Sequence, residues 1–221
     1  PTALQAGPAS TCEPEPHTTC CFRTTYHIPA LERCCDMHTS DSEEEELAED
    51  PRIGKLYSQV DKKTPEEWVA LVEQVGTKDA IVYGSICMDT ENVRAHFIVA
   101  ALFDADDGPL AECIKARRTL LKACVVSGGK GSGSFLIAAL EGFVCNDVEE
   151  GSDRETAIGS FRKALQALWE WEVVSEEEIR EWQADEQAGR IVKVQPADAR
   201  RLHEQGRLFM EWVDRGEGEE D

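Results

Sequence analysis

The sequence is expected to fold as an all-α domain of antiparallel helix pairs, preceded by a disordered N-terminal segment. Three observations predict this. Helix-start chemistry recurs along residues 64–221, apolar residues there repeat at spacings of 3 and 4, and strand-like alternation is confined to short pieces near Ala80–Met88 and Ile191–Val194. About seven helices joined by short loops favour a bundle or a short helical stack.

Residues 1–63 read differently. Up to about residue 50 they are rich in Pro, Thr, Ser and Cys, and they carry the run Asp41-Ser42-Glu43-Glu44-Glu45-Glu46. Contiguous like charges repel one another and mark solvated chain. A domain boundary is therefore expected between Asp50 and Thr64.

The elements of residues 64–221 follow in order. Thr64-Pro65-Glu66-Glu67 supplies an N-cap, a proline at the first helical position and acids in the first turn, before Trp68, Leu71, Val72 and Val75. Helices are expected to start near Thr90, Pro109 and Ser132, with apolar sets including Val93 and Phe97, Ile114 and Leu121, and Leu136, Leu140 and Val144. The helix opening at Asp153 places Ala157, Phe161, Ala164, Leu168 and Trp171 on one face. Ser175-Glu176-Glu177-Glu178 has capping-box spacing. Pro196 opens the last helix, whose apolar side holds Leu202, Phe209, Met210 and Val213.

The charge balance narrows the partners. Asp and Glu number 44 against 23 Lys and Arg, a net charge of −21. Such a field repels nucleic acid and anionic membrane and steers basic partners inward, so neither nucleic acid nor membrane is an expected partner. No apolar stretch approaches the roughly 18 residues of a membrane span, and the N-terminus lacks a charged-then-apolar leader pattern. The chain begins at Pro1 rather than Met, as a piece of a longer protein would. Cys87, Cys113, Cys124 and Cys145 sit singly in apolar stretches, where thiols behave as small hydrophobes. A reducing, cytoplasmic location is expected.

Several candidate chemistries have plainer readings. His17-x-x-Cys20 and Cys35-x-x-His38 have ligand-like spacing, yet Cys21 and Cys34 double the thiols awkwardly and little apolar sequence supports a folded site, so no metal is expected. The stretch Ser127–Ser134 is rich in Gly, but a helix rather than a strand precedes it and Gly131, not Ser or Thr, follows Lys130. It is read as a flexible interhelix loop, and no nucleotide or other cofactor is expected. Nothing ties His96 or His203 to a cysteine or an acid, so no catalytic residue is assigned and the chain is not expected to be an enzyme. Lys115, Arg118 and Lys122 share one helical face and form a candidate second binding surface.

The strongest candidate surface lies in the acidic, tryptophan-bearing last third. One element runs from Val173 to Trp182 and contains Glu176, Glu177, Glu178 and Glu181. The other is Phe209-Met210-Glu211-Trp212-Val213-Asp214-Arg215, followed by Glu217, Glu219, Glu220 and Asp221. Acids in a first helical turn complement the macrodipole, whereas those after the last helix oppose it and so do not serve the fold.

These two elements resemble the paired acidic-aromatic boxes of the W2 domain, which ends translation initiation factor 5 and the epsilon subunit of initiation factor 2B. Trp182 and Trp212 match its two tryptophans. Ala101-Leu102-Phe103-Asp104, Ile114-Lys115-Ala116-Arg117-Arg118 and Phe135–Glu141 resemble segments of factor 5, the closer match, over about Pro65 to Asp221. The resemblance implies HEAT-type helix pairs and an adaptor that helps assemble the translation preinitiation complex. Its acidic boxes would bind lysine-rich segments of the initiation factor 2 beta subunit, and initiation factors 3 and 1 would be further partners. Carried over, Glu176, Glu177, Glu178, Glu181, Glu211, Asp214, Glu217, Glu219 and Glu220 supply the charge. Trp182 and Trp212 pack the boxes onto the core, and Lys115, Arg118 and Lys122 serve a second partner. The zinc ribbon and GTPase-activating residues of factor 5 are absent from this sequence. Alternatives are a nucleotide-exchange domain like that of 2B epsilon, or a regulatory mimic of factor 5.

Overall fold

The structure, a computed structural model, describes residues 50–76, 80, 82, 90–185 and 192–216. All belong to one compact unit, Glu46–Asp221. The regular elements among them are helices: α1 (Pro51–Tyr57), α2 (Pro65–Val75), α3 (Thr90–Leu102), α4 (Leu110–Gly128), α5 (Ser132–Asn146), α6 (Ser152–Glu170), α7 (Glu176–Ala184) and α8 (Pro196–Asp214), with a short 3-10 turn at Ala105–Asp107. None is long and apolar enough to cross a membrane.

Local chemistry starts most of these helices where the sequence expects it. The Thr64 side chain accepts from the Glu67 N–H while the Glu67 carboxylate accepts from the Thr64 N–H, and Pro65 opens α2. Ser175 and Glu178 make the same reciprocal pair at α7. Pro196 opens α8.

The helices pack in two rows. Odd-numbered helices contact one another in sequence, α1 to α3, α3 to α5 and α5 to α7; even-numbered ones do likewise, α2 to α4, α4 to α6 and α6 to α8. Burial follows from this order. α3 and α5 lie inside the odd row against the even one, and residues 92–99 and 136–145 are buried all round. The near-continuous apolar run of α5 suits that place, because a helix apolar on every side must be covered on every side, whereas α3 also buries the polar Asn92, Arg94 and His96. α7 and α8 end their rows and bury one stripe each, Ile179 and Trp182 on α7 and Leu202, Gly206, Phe209 and Met210 on α8.

Three expectations are corrected. The helical domain does not begin at Thr64. Asp50 caps α1 by accepting from the Arg52 N–H, Ile53, Leu56 and Val60 are buried, and the Trp68 indole N–H donates 3.2 Å to the Leu56 carbonyl. Two buried aliphatic residues in one seven-residue helix were too few to stand out as a period. Trp171 is not on the buried face of α6, because the helix ends at Glu170 and Glu172 turns to φ 53°; Trp171 remains 38% exposed. The Gly-rich loop shrinks to residues 129–131, with α4 running through Gly128 and α5 starting at Ser132.

The expected disordered segment up to residue 49, the Cys/His pairs within it, the acidic run 41–46, Cys87 and most of Ala80–Met88 lie outside the described residues. Of the two strand-like pieces, Ala80, Val82 and residues 192–194 are described; Ala80, Val82, Val192 and Val194 are buried and Lys193 is exposed.

Candidate partner-binding surface

The two acidic elements form around tryptophans held in different ways. Trp182, on α7, is 1% exposed. Its indole N–H donates to Glu141 Oε2 of α5 at 3.1 Å, and its ring lies 5.9 Å from that of Phe161 on α6 and 4.5 Å from that of His203 on α8. Gly206 lets α8 approach: a Cβ there would sit 2.6 Å from the indole. Trp212, on α8, is only half-buried. It meets the edge of Trp169 at 5.8 Å and lies 5.8 Å from Phe209.

On α7 the carboxylates divide by task. Glu178 accepts from the Ser175 N–H and hydroxyl and, across to α5, from the Gly133 N–H, each at 2.9 Å. A Cβ on Gly133 would lie 2.5 Å from that carboxyl group. Glu178, assigned from the sequence to the partner-binding acids, is therefore a clamp between helix starts, with oxygens already engaged by donors of the fold. Glu176, Glu177 and Glu181 are exposed, and no ion pair to them exists among the described residues.

On α8 the acids are neutralised internally. Arg207 bridges Glu204 and Glu211, and Arg180 of α7 binds Asp214 at 2.6 Å. The hydrogen bond to Arg207 holds the Glu204 carboxyl below its ordinary range. Glu211 and Asp214 thus carry cations already, while Glu217, Glu219 and Glu220 lie outside the described residues.

The expected basic face on α4 is also partly occupied. Lys122 binds Glu172 at 2.6 Å, and Arg118 lies 4.6 Å over the Trp171 ring while donating to the Lys115 carbonyl. Neighbouring Arg117 binds Asp61 at 3.0 Å. Of the three assigned cations, only Lys115 keeps an ammonium with no ion pair or ring contact among the described residues.

The structure adds one group that the sequence reading passed over. Glu141 is wholly buried under α7; Oε2 accepts from Trp182, while Oε1 has no hydrogen-bond partner. Desolvation pushes its pKa up to about 7, and His203 Nε2 stands 3.9 Å from Oε2. A lone acid inside the apolar run Leu136–Cys145 was the available signal. His96 is also buried, and burial lowers its pKa to about 4, leaving a neutral ring. Burial pushes the Cys124 and Cys145 thiols up to about 12, so both resist forming the nucleophilic thiolate. No cluster of metal-ligating side chains occurs among the described residues.

Comparison with known proteins leaves the surface to be read from its own chemistry, since no family model, curated protein or solved structure matches this chain.

Proposed function

We propose that this chain is a W2-type adaptor of translation initiation, acting in the cytoplasm without catalysis. In this reading α7 docks a lysine-rich segment such as that of the initiation factor 2 beta subunit. The observation that carries it is the combination on α7 of three outward carboxylates lacking cations, Glu176, Glu177 and Glu181, with a tryptophan anchor that fixes the helix to three neighbours. Fixed carboxylates meet an incoming lysine run without first losing side-chain partners, and they speed its encounter.

Two further points support the reading. The odd and even rows are the arrangement that stacked HEAT-type helix pairs produce. The −21 charge would steer lysine-rich chains toward the domain. Helix α8 serves mainly as the wall against which α7 is set, with Asp214 holding Arg180.

The test is direct. A lysine-rich peptide is titrated against the whole chain at rising salt, then against a variant carrying Lys at 176, 177 and 181. Glu178 is kept, because replacing it would break the clamp. Exposed charges each contribute up to about 1 kcal/mol, so the triple variant should bind at least roughly tenfold more weakly. Binding indifferent to both salt and the triple variant overturns the proposal.

A further inference from the structure

A groove of about 750 Å³ runs along the outer side of α4, between the start of α2 and the end of α6. Val69, Ala123, Val126 and Trp171 supply its apolar lining. Tyr57, Val126 and Trp171 are the exposed large hydrophobic residues of the described chain, and the last two fall here, at 74% and 38% exposure. An apolar side chain left that open at a concave site suits an anchor brought by another chain.

Charge selects the partner. Of the two cations of this wall, Lys122 is paired with Glu172, while Arg118 stacks on the Trp171 face and keeps its charge. The carboxylates are in excess: Glu66, Glu170 and Glu172 line the groove, and Glu66 and Glu170 have no ion pair among the described residues. Glu170 accepts a hydrogen bond from Gln166, which leaves its charge in place. It is also the last residue of α6, where the helix dipole is itself negative. What meets an incoming segment is therefore an apolar slot with an acidic lip. A second copy of this chain is the wrong complement, since two bodies of −21 repel.

We propose that this groove docks the apolar stripe of a basic amphipathic helix from a partner protein, with anchors against Val126 and Trp171 and lysine or arginine over Glu66 and Glu170. This is the helix-in-groove mode, with charge setting which helix is accepted. It stands independently of the role given to α7.

The experiment uses the whole chain and two labelled helical peptides of about five turns. Both carry the same leucine stripe, one with lysine flanks and one with glutamate flanks, and anisotropy reads binding. The lysine peptide should bind at least about tenfold tighter than its twin. Val126→Asp should weaken it about tenfold or more, with an unchanged melting curve because Val126 is largely exposed. Glu66→Lys with Glu170→Lys should shift the preference toward the glutamate peptide. A chain with Lys at 176, 177 and 181 should keep its sensitivity to Val126→Asp, which separates this groove from the α7 surface. Equal or tighter binding of the glutamate peptide, indifference to Val126→Asp, or loss of that sensitivity in the α7 variant overturns the proposal. So does self-association of the free chain that Val126→Asp abolishes.

Discussion

Helices α7 and α8 carry similar acidic-aromatic sequences, yet they offer different surfaces. On α7 the tryptophan is fully buried and three of the four assigned acids face outward without cations. On α8 the tryptophan is half-buried, and both described acids of the box are bound by arginines of the same domain. The number of carboxylates in a segment is thus a poor measure of the charge it presents. What matters is how many the fold leaves without a cation.

The largest effect that sharpens this contrast comes from truncating the two tryptophans. Trp182→Ala removes a buried ring and leaves both Glu141 oxygens without a donor, and should cost about 3–5 kcal/mol. Trp212→Ala, at a half-buried site, should cost roughly half as much. Chemical denaturation of both variants checks this; equal losses would break the contrast.

The next effect is a pH dependence seated under α7. The folded pKa of Glu141, about 7, lies above its ordinary 4.5, so the folded state holds the proton more tightly. Its stabilising contribution is complete below about pH 4.5 and is lost as pH rises through 7, by up to about 3 kcal/mol. His96 has the opposite sign: its folded pKa of about 4 lies below 6.5, so its contribution is present above 6.5 and lost as pH falls through 4. Glu141→Gln removes the first slope and leaves the second. The variant should gain stability over the parent between pH 4.5 and 7, a difference read from denaturation curves taken across that range. A constant difference would mean that Glu141 does not titrate there.

Gly206→Ala should cost about 1–3 kcal/mol, because the added methyl meets the Trp182 ring at 2.6 Å. Gly159→Ala on the exposed face of α6, with open space around its Cβ, should instead stabilise slightly. Thermal melts of the pair test the closeness of the α7–α8 contact; equal effects of the two substitutions would break it. The smallest effect is on binding. Glu177→Gln should weaken a lysine-rich peptide by about 0.5 kcal/mol, and Glu211→Gln by less, since Arg207 already holds Glu211. Equal losses in a titration would erase the distinction between the two helices.

Much of the local structure was legible from residue chemistry. Thr64, Pro65, Ser175 and Pro196 started helices where expected, because capping and proline geometry act within a few residues and need no distant partner. The surroundings of the candidate site were less legible. Trp171 had the spacing of a core residue and lies outside it, since where a helix stops depends on the turn that follows. The short α1 lacked a period long enough to read and is recognised as core only through its packing on α2, where Trp68 donates to Leu56, and on α3.

By itself the sequence determined the helical class, most helix starts and a strongly acidic net charge. These follow from short-range capping, apolar periodicity and summed charge. Only the tertiary structure decided which charges remain available. Glu178 became a clamp on Gly133, Asp214 and Glu211 became arginine partners, Lys122 turned to Glu172, and Glu141 was sealed beneath Trp182. Apart from Glu211, each partner lies 34 or more residues away in the chain, and such pairings are set by helix packing that no local pattern encodes.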